Sequence, residues 1–393
     1  MSVSSLFKRR AFRTTNFRRQ ILKTSMNFNN MELIAPIIKA LEGLGYKTPT
    51  DIQIEAIPLI LKGNDIIGCA QTGTGKTAAF SIPILQNCAQ QRSNSKAPKA
   101  LILAPTRELA IQIDKTFAEL NKHLGLRHLV VFGGVPISRN IKSLQQPVDI
   151  LIATPGRLLD LINQKYLTLN SIATLVLDEA DTMLDMGFIH DIKKILKYVP
   201  EKRQTLFFSA TMPPEIRKFA NTILKNPAEV NINPVVKASE NVNQSVFFIE
   251  KKQKTDLLVD LLNRDKNLQT LVFIRTKHAA DRLAKQLNKR GFKADAIHGN
   301  KSQNARQNAL ESFKTGRSKI LIATDIAARG IDIHKLPQVI NYDLPTESET
   351  YVHRIGRTGR AGNAGHAYSF CSEEEKKALH GIQKLIGFQL ETN

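Results

Sequence analysis

The sequence predicts an α/β protein: two tandem, mostly parallel sheets, each with helices on both faces. Three observations predict it. Short apolar, β-branched runs alternate with helix-capable segments, the pattern of strands buried on both sides. The first run, Ile66-Ile67-Gly68-Cys69, leads through Ala70-Gln71-Thr72-Gly73-Thr74-Gly75-Lys76-Thr77 into a helix-capable segment. The alternation breaks in a polar stretch with Pro234 between Asn231 and Asn243, then resumes. This divides the chain into a basic extension (1–25), a first domain (26–231), a linker (232–243) and a second domain (244–393).

Residues 1–25 hold Lys8, Arg9, Arg10, Arg13, Arg18, Arg19 and Lys23, several Ser and Thr, and no acid. That composition fits a disordered basic arm, an organelle leader, or translated sequence ahead of a start at Met26. The chain as a whole carries a net charge of +21 with a pI near 9.9. Without the extension +14 remains, so the body itself is basic, as a polyanion-binding protein is. Cys69, Cys88 and Cys371 form no CxxC pair, which excludes a cysteine zinc site and fits reduced core residues. No apolar stretch approaches the roughly 18 to 20 residues that span a bilayer. A cytoplasmic monomer without membrane contact is expected.

From Met26 the elements follow in order. Leu33, Ile34, Ile37, Ile38 and Leu41 have helical spacing, predicting a helix over 32–43 capped by Asn29 or Asn30. The glycine loop after Cys69 is a phosphate cradle: its backbone N–H groups and the helix start hold phosphates, Lys76 neutralises the β/γ oxygens, and Thr77 ligates Mg²⁺. Ala70 stands where the usual pattern has Gly. Strands are predicted at 100–104, 129–132, 149–153, 173–177 and 205–208. The fourth ends in Asp178-Glu179-Ala180-Asp181, which puts acids at the carboxyl end of a buried strand, where open parallel sheets keep their chemistry. Strands at 246–249, 270–274, 319–323, 339–342 and 366–370 repeat the architecture. Where the first domain has its glycine loop we read Arg275-Thr276-Lys277-His278, so the second domain should not hold a triphosphate alone. It contributes His353-Arg354-Ile355-Gly356-Arg357-Thr358-Gly359-Arg360, three arginines too dense for a packed element. Arg357 and Arg360 suit a developing γ-phosphate charge, since guanidinium matches phosphate geometry.

With the glycine loop, Asp178-Glu179-Ala180-Asp181, Ser209-Ala210-Thr211 and residues 353–360 in hand, the chain resembles the DEAD-box ATP-dependent RNA helicases of superfamily 2. Further stretches match that family in order: Gly45-Tyr46 with Pro49-Thr50-Asp51-Ile52-Gln53 and Phe28 (Q motif), residues 105–110 (motif Ia), Thr154-Pro155-Gly156-Arg157 (motif Ib) and residues 323–332 (motif V). The resemblance runs from about Phe28 to Gly387. Departures are small: Thr182 where relatives often carry Arg, and Asp51 where Pro is frequent.

The resemblance implies two RecA-like domains and specific roles. Gln53 would read adenine, with Phe28 and Tyr46 shaping its pocket. Thr72, Gly73, Thr74 and Gly75 would line the phosphates with Lys76 and Thr77. Asp178 would hold Mg²⁺ through water, and Glu179 would orient or deprotonate the attacking water. Asp181, Ser209 and Thr211 would couple the ATP site to the rest, although a plain capping network is the competing reading. His353 would bridge to the acidic box, or be an ordinary satisfied histidine. Asp332 would touch the ribose, Gly330 would belong to the same nucleotide site, and Arg357 and Arg360 would face the γ-phosphate.

RNA backbone contacts are expected from Thr106, Arg107, Gly133, Gly134, Thr154, Gly156 and Arg157, and from Arg275, Gly299, Gln303, Arg306 and Thr324. The absence of Trp makes base stacking a minor term. The expected activity is RNA-stimulated ATP hydrolysis driving local, non-processive unwinding of short duplexes or remodelling of RNA–protein complexes. An ATP-gated RNA clamp and a related DNA helicase are the alternatives. The chain is expected to end soon after the second domain, without an appended targeting tail.

Overall fold

The computed structural model describes residues 27–71, 73–91, 97–232, 242–328, 333, 336–359 and 365–393; the side chains of Gln303 and Ile326 are outside the description. Residues 1–25 and most of the expected linker therefore lie outside the described residues. Among them no helix is long and apolar enough to cross a membrane. The chain divides into two compact units, one through Ile232 and one from Asn233.

The first unit is built on one all-parallel sheet. Its strands are β1 (Ile66–Cys69), β2 (Ala100–Leu103), β3 (His128–Val131), β4 (Ile150–Ala153), β5 (Thr174–Leu177), β6 (Gln204–Ser209) and β7 (Ala228–Asn231), in spatial order β3-β4-β2-β5-β6-β1-β7. Side chains alternate between faces, as the pleat requires. Ile66, Ile102, Ile150, Val176 and Phe208 join one core, while Ile67, Leu101, Leu103, Leu151, Leu175 and Phe207 join the other. Asp65 fastens the amino end: its carboxylate accepts from Thr205 N (2.8 Å) and Lys225 N (2.7 Å), and its carbonyl accepts from Ala228 N (2.8 Å).

The second unit repeats this plan. Its strands β8 (Val242–Phe248), β9 (Thr270–Phe273), β10 (Ala294–Ile297), β11 (Ile320–Ala323), β12 (Gln338–Asn341), β13 (Gly365–Cys371) and β14 (Glu391–Thr392) lie in the order β10-β11-β9-β12-β13-β8-β14. Numbered from the first strand of each unit, both sheets run 3-4-2-5-6-1-7. These are the two tandem RecA-like α/β halves that the sequence leads one to expect.

The duplication corrects one expectation. The counterpart of β1 is β8, so the position of the glycine loop is taken by Ile249-Glu250-Lys251-Lys252-Gln253. Arg275-Thr276-Lys277-His278 follows β9, the counterpart of β2, and Thr276 caps the next helix through Ala279 N (3.3 Å) just as Thr106 caps its own through Leu109 N (3.2 Å). With Glu250 in place of glycines, the second unit still lacks a phosphate cradle.

The first helix also differs. It spans Ala35–Gly43, not 32–43, and Asn27 instead caps a single 3₁₀ turn, Phe28–Asn30. A start at Glu32 would put Pro36 at a position that must donate to a carbonyl; starting at Ala35 puts it in the first turn, where no donor is needed. The expected linker is shorter too: Ile232 N still bonds Cys69 O (2.9 Å), and Val242 and Asn243 already belong to β8.

Candidate functional site

Parallel strands bring all their carboxyl ends to one edge, and the loops there carry the first unit's candidates. The loop after β1 turns through Gly73 (φ 83°) and Gly75 (φ 95°), a left-handed backbone that glycine adopts at no steric cost. Lys76 is 6% exposed and its ammonium donates to Ala70 O, folding back over the loop. Thr74 Oγ1 donates to Gln71 O (2.7 Å). Thr77, half-buried, lies in the first turn of helix Lys76–Gln90. Thr72 falls outside the described residues.

Gln53 is buried (2%) and both ends of its amide are engaged. Its Oε1 accepts from Thr50 N (2.9 Å) in a capping box, and its Nε2 donates to Gly75 O (3.2 Å). It thus tethers the phosphate loop to helix Asp51–Leu61. Phe28 is buried, with its ring edge-on to Tyr46 at 6.2 Å between centroids.

Strand β5, separated from β1 by β6 alone, delivers the acids. Burial, first of all, pushes the Asp178 carboxyl up to about 7, Lys76 pulling it down and Glu179 pushing it further up. Glu179 holds a left-handed backbone (φ 53°, ψ 54°), a costly state for a non-glycine residue and one that clusters at functional sites; its N–H donates to Asp178 Oδ1 (3.0 Å). The buried Asp178 carboxylate and the Thr77 hydroxyl are both hard oxygen donors. They fit Mg²⁺, which takes one or two carboxylates plus substrate phosphates.

Asp181 closes this group. Its Oδ2 accepts from Ala210 N (3.2 Å), Thr211 N (2.9 Å) and Thr211 Oγ1 (3.0 Å), its Oδ1 accepts from Thr182 N (3.0 Å), and its own N–H donates to Ser209 Oγ (3.3 Å). The carboxyl ends of β5 and β6 are thereby joined through one buried side chain.

The RNA candidates occupy the other half of the edge, after β2, β4 and β3. Thr106 Oγ1 is spent on its cap. The Arg107 guanidinium lies where a Cβ on Gly134 would stand, and Gly134 has φ +79°. Arg157 donates to Asn140 Oδ1 and to Val135 O (2.9 Å). Both arginines thus brace the Gly133–Val135 turn. Thr154 is buried, and nothing lies within 4 Å of a Cβ on Gly156, so backbone there is open to approach.

In the second unit Arg275 follows β9, Gly299 follows β10 and Thr324 follows β11, with Gln303 and Arg306 in the first turn of helix Gln303–Lys314. These are the counterparts of β2, β3 and β4. His353 and Arg357 line a small pocket with Asp325 and Arg354; Arg357 is 7% exposed and donates to Ala328 O (3.4 Å). Gly330, Asp332 and Arg360 are outside the described residues.

The arginine run is not too dense to pack. Arg354 is 2% exposed, paired with both Asp325 oxygens (2.6 and 2.8 Å), bonded to Asn341 Oδ1 (3.0 Å) and Asp343 O (2.6 Å), and stacked over Phe273. The bidentate carboxylate and the two further acceptors offset the cost of burying the charge.

Sequence reasoning missed this role, and missed Lys254, Asp343 and Glu375 entirely. Ser372-x-x-Glu375 is a readable capping-box signal, and the box is present; Lys254 has no signal among its lysine neighbours.

Residues 50–219 match the DEAD/DEAH box helicase family, and residues 253–362 match the helicase conserved C-terminal domain. The chain is 44% identical over 360 residues to the ATP-dependent RNA helicase DeaD of Escherichia coli K12, covering 91% of this chain but only 57% of that protein. It is 45% identical over 360 residues to the ATP-dependent RNA helicase CshA of Limosilactobacillus reuteri, covering 92% and 72%. Among solved structures it is similar to Saccharomyces cerevisiae Dbp5 bound to RNA and ADP BeF3, with a TM-score of 0.83, 32% identity, and 93% and 95% of the two chains covered. With the glycine loop, the Asp178–Asp181 box and residues 353–357 in their places, the chain belongs to the DEAD/DEAH box helicase family.

Proposed function

We propose that this chain is an ATP-dependent RNA helicase that separates short duplexes locally and non-processively, or remodels RNA–protein complexes, with RNA-stimulated hydrolysis of ATP to ADP and phosphate. One observation carries the reading. In each sheet the candidate RNA residues lie beyond the carboxyl ends of the same three adjacent strands, β3-β4-β2 and β10-β11-β9, while the first unit's glycine loop and acidic box follow β1 and β5. The names of the relatives support the substrate.

In this reading Gln53 selects adenine, Lys76 and the loop N–H groups hold the phosphates, and Thr77 and Asp178 would hold Mg²⁺, which when bound neutralises phosphate charge. Glu179 positions and deprotonates the attacking water. Arg357 and Arg360 supply guanidinium charge as the γ-phosphoryl leaves. Asp181, with Ser209 and Thr211, carries the state of the acidic box to the RNA side, and His353 joins that link. Thr106, Arg107, Gly133, Gly134, Thr154, Gly156, Arg157, Arg275, Gly299, Gln303, Arg306 and Thr324 form the RNA track. Bending one strand unstacks it at a cost of a few kcal/mol per step, against about 1.4 kcal/mol of stacking per duplex step, so a few disrupted steps melt a short duplex. A cytoplasmic monomer completes the proposal, with an organelle leader in residues 1–25 as its rival.

The test is phosphate release and strand separation with RNA and DNA oligonucleotides of one sequence. RNA should stimulate and DNA should not. Glu179→Gln should lower turnover by about 10²- to 10⁴-fold yet keep ATP-dependent RNA binding. Equal stimulation by DNA would make the chain a DNA helicase; RNA retention with slow turnover and no separation would make it a clamp.

A further inference from the structure

The second unit contains a charged network that the helicase reading does not use. Lys254 is 1% exposed, and its ammonium donates to Tyr342 O (2.7 Å), Asp343 Oδ1 (3.2 Å) and Glu375 Oε2 (2.7 Å). Asp343 Oδ2 accepts from Arg275 N (2.9 Å). Arg275 Nη2 donates to Glu375 Oε1 (3.2 Å) and Leu344 O (3.2 Å). Glu375 also accepts from Leu344 N (3.0 Å) and from Ser372 N and Oγ (3.0 and 2.9 Å). On its far side, the Asp343 carbonyl accepts from Arg354, which grips Asp325.

Three cations therefore face three carboxylates along an unbroken chain of hydrogen bonds, from the loop after β11 to the loop after β9. The chain ends at Arg275, whose side chain is 53% exposed. Behind that guanidinium Lys254, Glu375 and Arg354 are buried and hydrogen-bonded, with Asp343 partly exposed. Burial works to raise the Glu375 carboxyl, but hydrogen bonds from Lys254 and Ser372 outweigh it and hold the group below its ordinary value. It therefore remains an anion facing Arg275.

We propose that Asp343 and Glu375, with the buried Lys254 between them, are positioning residues that fix Arg275 for a phosphate of the bound strand and tie it, through Arg354, to the helix carrying His353. The second unit thus has its own counterpart of the Asp181 link, built from ion pairs instead of a single carboxylate. Half-exposed arginines lose much binding energy to side-chain entropy; a guanidinium already held on one side loses less on engaging a phosphate. This rests on the reading of Arg275 as an RNA contact.

A double-mutant cycle tests it, since residues in one network are non-additive and independent ones add. Arg275→Gln and Glu375→Gln are made singly and together in the full chain, and the RNA concentration for half-maximal ATPase is measured with melting temperature and ATP affinity. Each single change should raise that concentration roughly 10-fold, and the pair no more than either alone. ATP affinity without RNA should stay the same in Glu375→Gln. Additive effects, or an unaltered RNA requirement in Glu375→Gln, overturn the positioning role, because a merely destabilised unit would add to the loss of Arg275. An unaltered requirement in Arg275→Gln overturns the reading of Arg275 itself. Should Glu375→Gln not fold, Asp343→Asn, which acts on Arg275 N, completes the same cycle.

Discussion

Removing the Asp181 carboxylate should both destabilise the first unit and uncouple hydrolysis from strand separation. Its two oxygens accept four hydrogen bonds, three of them on Oδ2, and the residue is 6% exposed. Hydrogen bonds to a charged group are worth about 1.5–3 kcal/mol each. Bonds sharing one oxygen do not add fully, so two independent acceptors give about 3–5 kcal/mol for Asp181→Ala. At about 2–4 °C per kcal/mol for a unit of this size, the melting temperature should fall on the order of 10 °C. Asp181→Asn is the finer probe. Both carboxylate oxygens only accept, so either orientation of the amide turns its NH₂ toward an N–H; about 2 kcal/mol should be lost. Thr211→Val strands no backbone donor and should cost about 1 kcal/mol. Calorimetry orders the three, and the ratio of duplex separated to ATP consumed should fall most for Ala. If Asp181→Asn melts like the parent and separates as many strands per ATP, the network is a turn cap and nothing more.

Gln53→Ala should weaken ATP relative to GTP in competition binding, and also melt earlier by about 1 kcal/mol, because the capping box to Thr50 goes with it. Gly134→Ala places a methyl into the Arg107 guanidinium at a positive φ; RNA affinity should fall while nucleotide affinity, followed by fluorescent ATP analogues, is unmoved. Glu375 predicts a pH effect. Its folded-state pKa lies below the ordinary 4.5, so its stabilisation is complete above that value and disappears as pH falls through the lower folded one. Acid titration followed by circular dichroism should show Glu375→Gln with a shallower loss below about pH 4.5 than the parent.

The strands legible in the sequence were mostly those buried on both faces. Runs such as Leu101-Ile102-Leu103 and Leu175-Val176-Leu177 are apolar throughout because helices cover each side. The three strands not foreseen, β7, β10 and β14, all lie at sheet edges. Glu229 and Asn231 in β7 and Asp295 in β10 interrupt any apolar run, as solvent-facing edges permit. Site residues were legible where chemistry demands a fixed local order, as in the glycine loop and the acidic box. Lys254, Asp343 and Glu375 were not, because their partnership joins positions far apart in sequence and only the fold brings them together.

The seating of β1 sets a schedule for synthesis. The strand bearing the phosphate loop is flanked by β6 and β7, and its latch, Asp65, finds Thr205 only 140 residues later. At about 5–20 residues per second on the ribosome, Ile66 and Ile67 wait roughly seven to thirty seconds for neighbours. During that interval the nascent chain presents an unpaired apolar strand to which chaperones or other nascent chains can bind. Nucleotide cannot rescue it, since the loop has no fixed shape until its strand is seated. A fragment ending before Gln204 should therefore bind no ATP, although the whole glycine loop and the Asp178–Asp181 box have been made.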